Sequence, residues 1–252
     1  MMIRTIILLS AVFASGLAVS SYSKDKTVLA LTPVPRSGNQ AKLHESFNAI
    51  SREGKAQLIF LGDSITQGWS RKGAEAWEQY WAPYQAANFG IGGDRTEHVL
   101  WRLANGNYDG LNPKLTVLMI GTNNTGHEGR EMAEHGGAVY TSSAEETAAG
   151  VTAIIDAMAE KQPEMKVLLL AIFPRGADRN DPKRQKNDAI NKLISKLGER
   201  DYVTYLNIND NFLKPDGTLP KEIMPDLLHL NADGYKIWSQ AIESTVKELM
   251  RE

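Results

Sequence analysis

The sequence predicts a single α/β domain whose parallel sheet is covered by helices on both faces. Short apolar runs rich in β-branched and aliphatic residues recur along the chain, and each stops at Gly, Asn or Pro. Between them lie longer stretches with apolar residues at helical spacing. No internal repeat, low-complexity tract or second composition regime interrupts that alternation. Strand and helix in alternation make βαβ units, which build parallel sheets buried on both sides. A chain of 252 residues can fill one substantial core of this kind.

Residues 1–23 read as a secretory signal peptide, with Arg4 near the start, an apolar stretch over 5–19, and the small residues Ser20, Ser21 and Ser23 after it. The apolar stretch falls short of the ~20 residues that span a bilayer, so cleavage and a secreted or periplasmic product are expected, with no membrane insertion afterwards. A linker with Pro33 and Pro35 is expected over 24–39, and the folded domain over 40–252. Strands are expected over 58–61, 86–89, 116–120, 166–173 and 202–206. Helices are expected over 41–52, 96–103, 144–161, 182–200 and 231–250. In the last of these Trp238, Ala241, Ile242, Val246 and Leu249 recur on one face, Asn231 suits the N-cap, and Asp233 favours the positive end of the helix dipole.

Composition removes several functions. Lys plus Arg number 28 against 30 Asp plus Glu, a net charge of -2, so no basic footprint for nucleic acid exists. The absence of Cys excludes disulfides, zinc ribbons and thiol nucleophiles, leaving Ser, Thr, Lys or a carboxylate for any covalent step. It also suits an oxidising compartment.

Parallel α/β sheets bind ligands beyond the carboxyl ends of their strands. Here the first run leads into Gly62-Asp63-Ser64-Ile65, the second into Gly90-Ile91-Gly92-Gly93-Asp94, the third into Gly121-Thr122-Asn123-Asn124 and the fourth into Pro174-Arg175-Gly176. The fifth leads through a loop to Asp226-Leu227-Leu228-His229. Acyl transfer through serine needs a hydroxyl, a base, a carboxylate to fix the base's tautomer, and donors for the oxyanion. Ser64, His229 and Asp226 supply the first three. The Ser64 and Gly93 backbone N–H groups and the Asn123 amide would supply the donors. Taken singly, each is ordinary turn or cap chemistry. Their joint occurrence at successive strand ends points to a catalytic site.

In the blocks holding Ser64, Gly93, Asn123 and His229 with Asp226 the sequence resembles the SGNH or GDSL hydrolase superfamily. The stretch from Asn88 to Leu103, Asn88-Phe89-Gly90-Ile91-Gly92-Gly93-Asp94-Arg95-Thr96-Glu97-His98-Val99-Leu100-Trp101-Arg102-Leu103, also resembles the catalytic subunits of the type Ib platelet-activating-factor acetylhydrolases, as does Gly121-Thr122-Asn123-Asn124. The resemblance implies a flavodoxin-like three-layer α/β/α sandwich around a five-stranded parallel sheet. It implies esterase activity with no metal or other cofactor and a preference for short acyl groups. It also places Ile65, Thr122 and Leu228 around the acyl group, and Arg175 is a further candidate for substrate binding. The expected activity is that of a secreted serine esterase, deacetylating carbohydrate or glycoside. The alternatives are a general carboxylester or phospholipid acetyl hydrolase and a non-catalytic carbohydrate-binding protein, the last opposed by the intact set of Ser64, Asn123, Asp226 and His229. The chain departs from those cytosolic relatives in its signal sequence and in a longer loop over 126–143.

Other features carry less. Arg95 stands where the third Gly of a dinucleotide fingerprint belongs. His127, Glu128, Glu131, Glu134 and His135 lack metal-ligand spacing and read as a charged loop or lid. His98 and Trp101 read as packing or surface residues. Trp69, Trp77 and Trp81 suit either the core or a platform for a sugar ring.

Overall fold

The computed structural model describes residues 27–251, so the signal sequence expected over 1–23 lies outside the described residues. Along the chain run α1 (Gly38–Glu53), β1 (Leu58–Gly62), α2 (Ser64–Gln67), α3 (Ala74–Tyr80), β2 (Ala86–Gly90), α4 (Thr96–Ala104), β3 (Leu115–Met119) and α5 (Thr122–Gly126). The two-residue strands β4 (Glu131–Met132) and β5 (Ala138–Val139) follow, then α6 (Ala144–Lys161), β6 (Lys166–Leu170), α7 (Pro182–Ile194), β7 (Val203–Leu206) and α8 (Ala232–Arg251).

Five strands pair in parallel in the order β2-β1-β3-β6-β7. The chain winds one way from β1 to β2 and the other way through β3, which is the flavodoxin-like order and opens a crevice at the carboxyl ends of the central strands. Period-two alternation sends successive side chains to opposite faces. Ile59, Leu61, Phe89, Leu118 and Leu169 join Val99 of α4, Ile154 of α6 and Ile190 of α7 in one core layer. Leu58, Phe60, Val117 and Leu168 join Trp238, Ile242 and Val246 of α8 in the other. All five residues of β1 and of β3 are buried, as central strands of a doubly covered sheet must be.

Several expectations shift. The strand expected over 166–173 ends at Leu170, although Ala171, Ile172 and Phe173 stay buried. Side-chain amides replace the sheet there: Ile172 N–H donates to Asn191 Oδ1, and the Asn191 and Asn209 amides donate to Ile172 O. The helix expected over 182–200 tightens into a 3-10 turn at Ser195, whose hydroxyl bonds back to Lys192 O. The segment expected as a linker is packed: Ala30 is buried and its carbonyl accepts the Thr96 hydroxyl at 2.8 Å, and helix already begins at Gly38. Trp69 and Trp81 are core residues, with the Trp69 ring 4.7 Å from that of Trp238, so neither is a sugar platform. Asn231 caps α8, its Oδ1 accepting Gly234 N–H at 2.9 Å.

Candidate active site

The turn after β1 admits only glycine at its start. A Cβ on Gly62 would lie 2.4 Å from Met119 O and 2.2 Å from Thr66 Oγ1. Asp63 then caps α2, its Oδ1 accepting Ile65 N–H at 3.0 Å, and Ser64 emerges half-buried as the first helical residue. Asp63 itself is wholly buried, its Oδ2 has no hydrogen-bond partner, and burial pushes its carboxyl up to about 6.

A loop from the far end of the domain meets this serine. Ser64 Oγ lies 2.9 Å from His229 Nε2, and His229 Nδ1 lies 2.6 Å from Asp226 Oδ2. With Nδ1–H donating to the carboxylate, Nε2 carries the lone pair that accepts the serine proton. Asp226 Oδ1 also accepts the backbone N–H groups of Leu228 at 3.1 Å and His229 at 2.7 Å. Burial alone would raise this carboxyl; the His229 ring and these backbone donors outweigh it and hold Asp226 below its usual range. The turn closes through Leu227, in the left-handed region at φ 59, whose carbonyl accepts Gly176 N–H at 2.9 Å.

Gly93 and Asn123 complete the same corner. Gly93 has φ +81, a conformation that favours glycine, and its N–H meets no acceptor among the described residues. The Asn123 amide donates to Asp94 O at 2.9 Å, which leaves its second N–H unspent. Arg102 holds these strand ends together. Its guanidinium donates to Phe89 O at 2.9 Å and Gly62 O at 3.3 Å, while Nε stands 3.0 Å from Asp94 Oδ2. The sequence expectations assign no role to Arg102; its mark in the sequence is an arginine beside Val99 and Leu103 on an apolar helix face.

The residues expected around the acyl group divide. Ile65 is 1% exposed and belongs to the core layer beneath the serine. Thr122 is equally buried, and its Oγ1 is occupied by Arg175 Nη1 at 3.1 Å and Asn187 Nδ2 at 3.3 Å. Leu228 alone of the three keeps open surface. Arg175 also donates to Thr122 O at 2.8 Å, holding the backbone that carries Asn123.

The charged loop over 126–143 is a short antiparallel hairpin, β4 with β5, pinned by buried Arg95. Arg95 Nη2 donates to Glu134 Oε1 at 2.7 Å and Nη1 to His127 Nδ1 at 2.8 Å, and Arg95 Nε pairs with Glu97. Tyr140 donates to Glu97 Oε2 at 3.3 Å, and His135 stands 3.4 Å from Glu97 Oε1. Burial, with Arg95 beside it, lowers the His127 imidazole to about 4. His98 is buried and accepts Arg95 N–H at 3.0 Å, a packing role.

A hydroxyl facing an imidazole nitrogen, with the opposite ring N–H on a carboxylate and free N–H donors alongside, can attack an ester carbonyl and hold the oxyanion that forms. The cavity containing Ser64 and His229 measures about 310 Å³. A larger apolar cavity of about 630 Å³, beside Trp77 and the edge strand β2, includes neither residue.

Known proteins agree with this architecture. The family model described as GDSL-like Lipase/Acylhydrolase matches residues 60–237. Platelet-activating factor acetylhydrolase IB subunit alpha1 of Bos taurus is 35% identical over 216 residues, 85% of this chain and 85% of the relative. Subunit alpha2 of Rattus norvegicus is 35% identical over 210 residues, 83% of this chain and 84% of the relative. Among solved structures, a GDSL-like lipase from Bacteroides thetaiotaomicron superposes with a TM-score of 0.65 at 19% identity, covering 83% of this chain and 98% of that one. The acetylxylan esterase Axe2 from Geobacillus stearothermophilus, crystallised as a catalytic mutant, gives 0.58 at 17% identity over 76% of this chain and 93% of that one. At these identities the structural likeness speaks for the fold, and the family assignment rests on the sequence matches. By the span of the family match and the identity shared with relatives across most of their length, the chain belongs to the GDSL-like lipase/acylhydrolase family and is a carboxylic ester hydrolase.

Proposed function

We propose that this protein is a secreted or periplasmic acetylesterase that deacetylates carbohydrate or glycoside esters through Ser64, His229 and Asp226. The observation that carries this reading is the pair of contacts from Ser64 Oγ to His229 Nε2 and from His229 Nδ1 to Asp226 Oδ2, at 2.9 and 2.6 Å. In the first half-reaction His229 takes the Ser64 proton as Oγ attacks the ester carbonyl. The oxyanion is held by the Ser64 and Gly93 N–H groups and the Asn123 amide. His229 then returns the proton to the departing alkoxide. In the second half-reaction it deprotonates a water that attacks the acyl-serine, and Asp226 keeps the imidazole in one tautomer throughout.

The small cavity at Ser64 supports a short acyl group. Secretion is supported by the sequence pattern over 1–23. Among the described residues no helix is long and apolar enough to cross a membrane. The names of the relatives favour a second reading, hydrolysis of a phospholipid acetyl ester. Turnover of acetylated xylan, acetylated monosaccharides, an acetyl phospholipid and p-nitrophenyl esters of increasing chain length separates the two. The first reading expects sugar acetates to be cleaved and activity to fall beyond short chains, and inert sugar acetates beside a rapidly cleaved phospholipid would overturn it.

A further inference from the structure

The cleft around Ser64 is bordered by four cations, three of which form no ion pair among the described residues. On the face of the sheet covered by α3 and α8, Arg71 and Lys72 are exposed in the turn that follows the serine helix, and they line the cavity containing Ser64 and His229. On the opposite face, where α4 and α6 pack, Arg36 and Arg130 line a second cavity of about 670 Å³ walled by the β4–β5 hairpin. Arg36 Nη1 lies 3.4 Å from Gly93 O, so this cavity borders the oxyanion corner. His127 belongs to it too. Its Nδ1 accepts from Arg95, which leaves its Nε2–H as a donor.

Among the described residues Arg71, Lys72 and Arg130 form no ion pair. Arg36 stands 3.8 Å from Glu134 Oε1, but Arg95 already holds that carboxylate at 2.7 Å. Glu131 is the other carboxylate lining the second cavity, and Arg130 there and Arg71 with Lys72 on the other side of the serine stay without ion-pair partners among the described residues. The chain as a whole carries a net charge of -2, so these unpaired cations are a local feature rather than a reflection of composition. Unpaired charge of one sign around a cleft concentrates ligands of the other sign there, and arginine pairs with carboxylates in a bidentate fork.

We propose that the ester is carried on an acidic glycan, laid across Ser64 so that sugar carboxylates meet Arg71 and Lys72 on one side and Arg36 and Arg130 on the other. This rests on the carbohydrate reading above and narrows it. Cations on two sides of the nucleophile fit a chain charged along its length, whereas a phospholipid presents its charge at one end.

The test compares kcat/KM for an acetylated uronic-acid oligosaccharide, the same oligosaccharide after reduction of its carboxyls, and an anionic acetyl phospholipid. The acidic oligosaccharide should exceed its reduced counterpart about tenfold at about 20 mM salt, and the ratio should approach one at about 0.5 M. Arg71→Gln with Lys72→Gln, and separately Arg130→Gln, should each lower the low-salt ratio about threefold. Both substrates are read on one preparation, so a change in the amount of folded enzyme cancels. Equal turnover of acidic and reduced oligosaccharides at low salt would overturn the proposal and leave the carbohydrate reading standing. Turnover confined to the phospholipid or to p-nitrophenyl acetate would overturn both.

Discussion

The side-chain amide of Asn123 donates to the backbone carbonyl of Asp94, 2.9 Å away, so one hydrogen aims the other. Asn123 is the second residue of α5, whose N-cap is Gly121 with no side-chain cap bond, so the amide does not serve as a cap. Asn123→Ala should lower kcat by ~10²–10³ with little change in KM, as expected for a donor to an oxyanion. It should also cost about 1 kcal/mol of stability through the lost bond to Asp94. Kinetics and a denaturation midpoint on one preparation check both. An unaltered kcat would remove Asn123 from the oxyanion site.

Ser64→Ala should abolish ester turnover while the circular dichroism spectrum and midpoint stay close to wild type, since a half-buried hydroxyl leaves little cavity. Asp226→Asn should lower kcat by up to ~10⁴, because the amide can present an N–H to Nδ1 and favour the wrong tautomer. Near-native turnover in either variant would refute the proton path through His229.

Asp63 makes stability depend on pH. Its carboxyl titrates at about 6 in the folded protein against an ordinary 3.8, so between those values the folded chain holds a proton that the unfolded chain has released. The resulting stabilisation is complete below pH 4 and is lost as pH rises through 6, by up to about 3 kcal/mol. Asp63→Asn keeps an acceptor for Ile65 N–H and removes the titration. Urea midpoints should therefore show the wild type losing stability relative to Asp63→Asn from pH 4 to pH 7.5, and parallel profiles would contradict this.

Gly90 ends β2 against the serine helix, and a Cβ there would lie 2.1 Å from Gln67 N and 2.6 Å from Thr66 C. Both are backbone atoms of α2 that no rotamer change can move. Gly90→Ala should cost about 1–3 kcal/mol and lower kcat by shifting Ser64 relative to His229. A thermal midpoint with p-nitrophenyl acetate kinetics tests this, and a variant with wild-type values in both would show that α2 has room to shift.

What the sequence made legible follows from the physics of each part. The blocks around Ser64, Gly93 and Asn123 stand out in the sequence because each directly follows an apolar run, and parallel strands bring such ends together, with the Asp226 and His229 block reached from the last run through a loop. Helix α6 begins as expected because Ser143 and Glu146 form a capping box, a purely local signal. The β4–β5 hairpin was not legible, since its two-residue strands are too short for periodicity and depend on Arg95, a residue more than thirty positions earlier. Burial of Ile65 and Thr122 was equally hidden: which side of a strand end faces the core is decided by α8 and α7 packing from elsewhere in the chain.

Asp226 and His229 occupy one turn of backbone, so they travel together. If residues 223–231 peel away, Asp226 and His229 leave as a unit, while Ser64, Gly93 and Asn123 stay seated at three strand ends. The segment is held to the rest of the domain by the bond from Gly176 N–H to Leu227 O at 2.9 Å and by Met224 and Leu230, both buried in the core layer beneath α8. Opening of this segment would empty the population of working molecules without slowing those that remain.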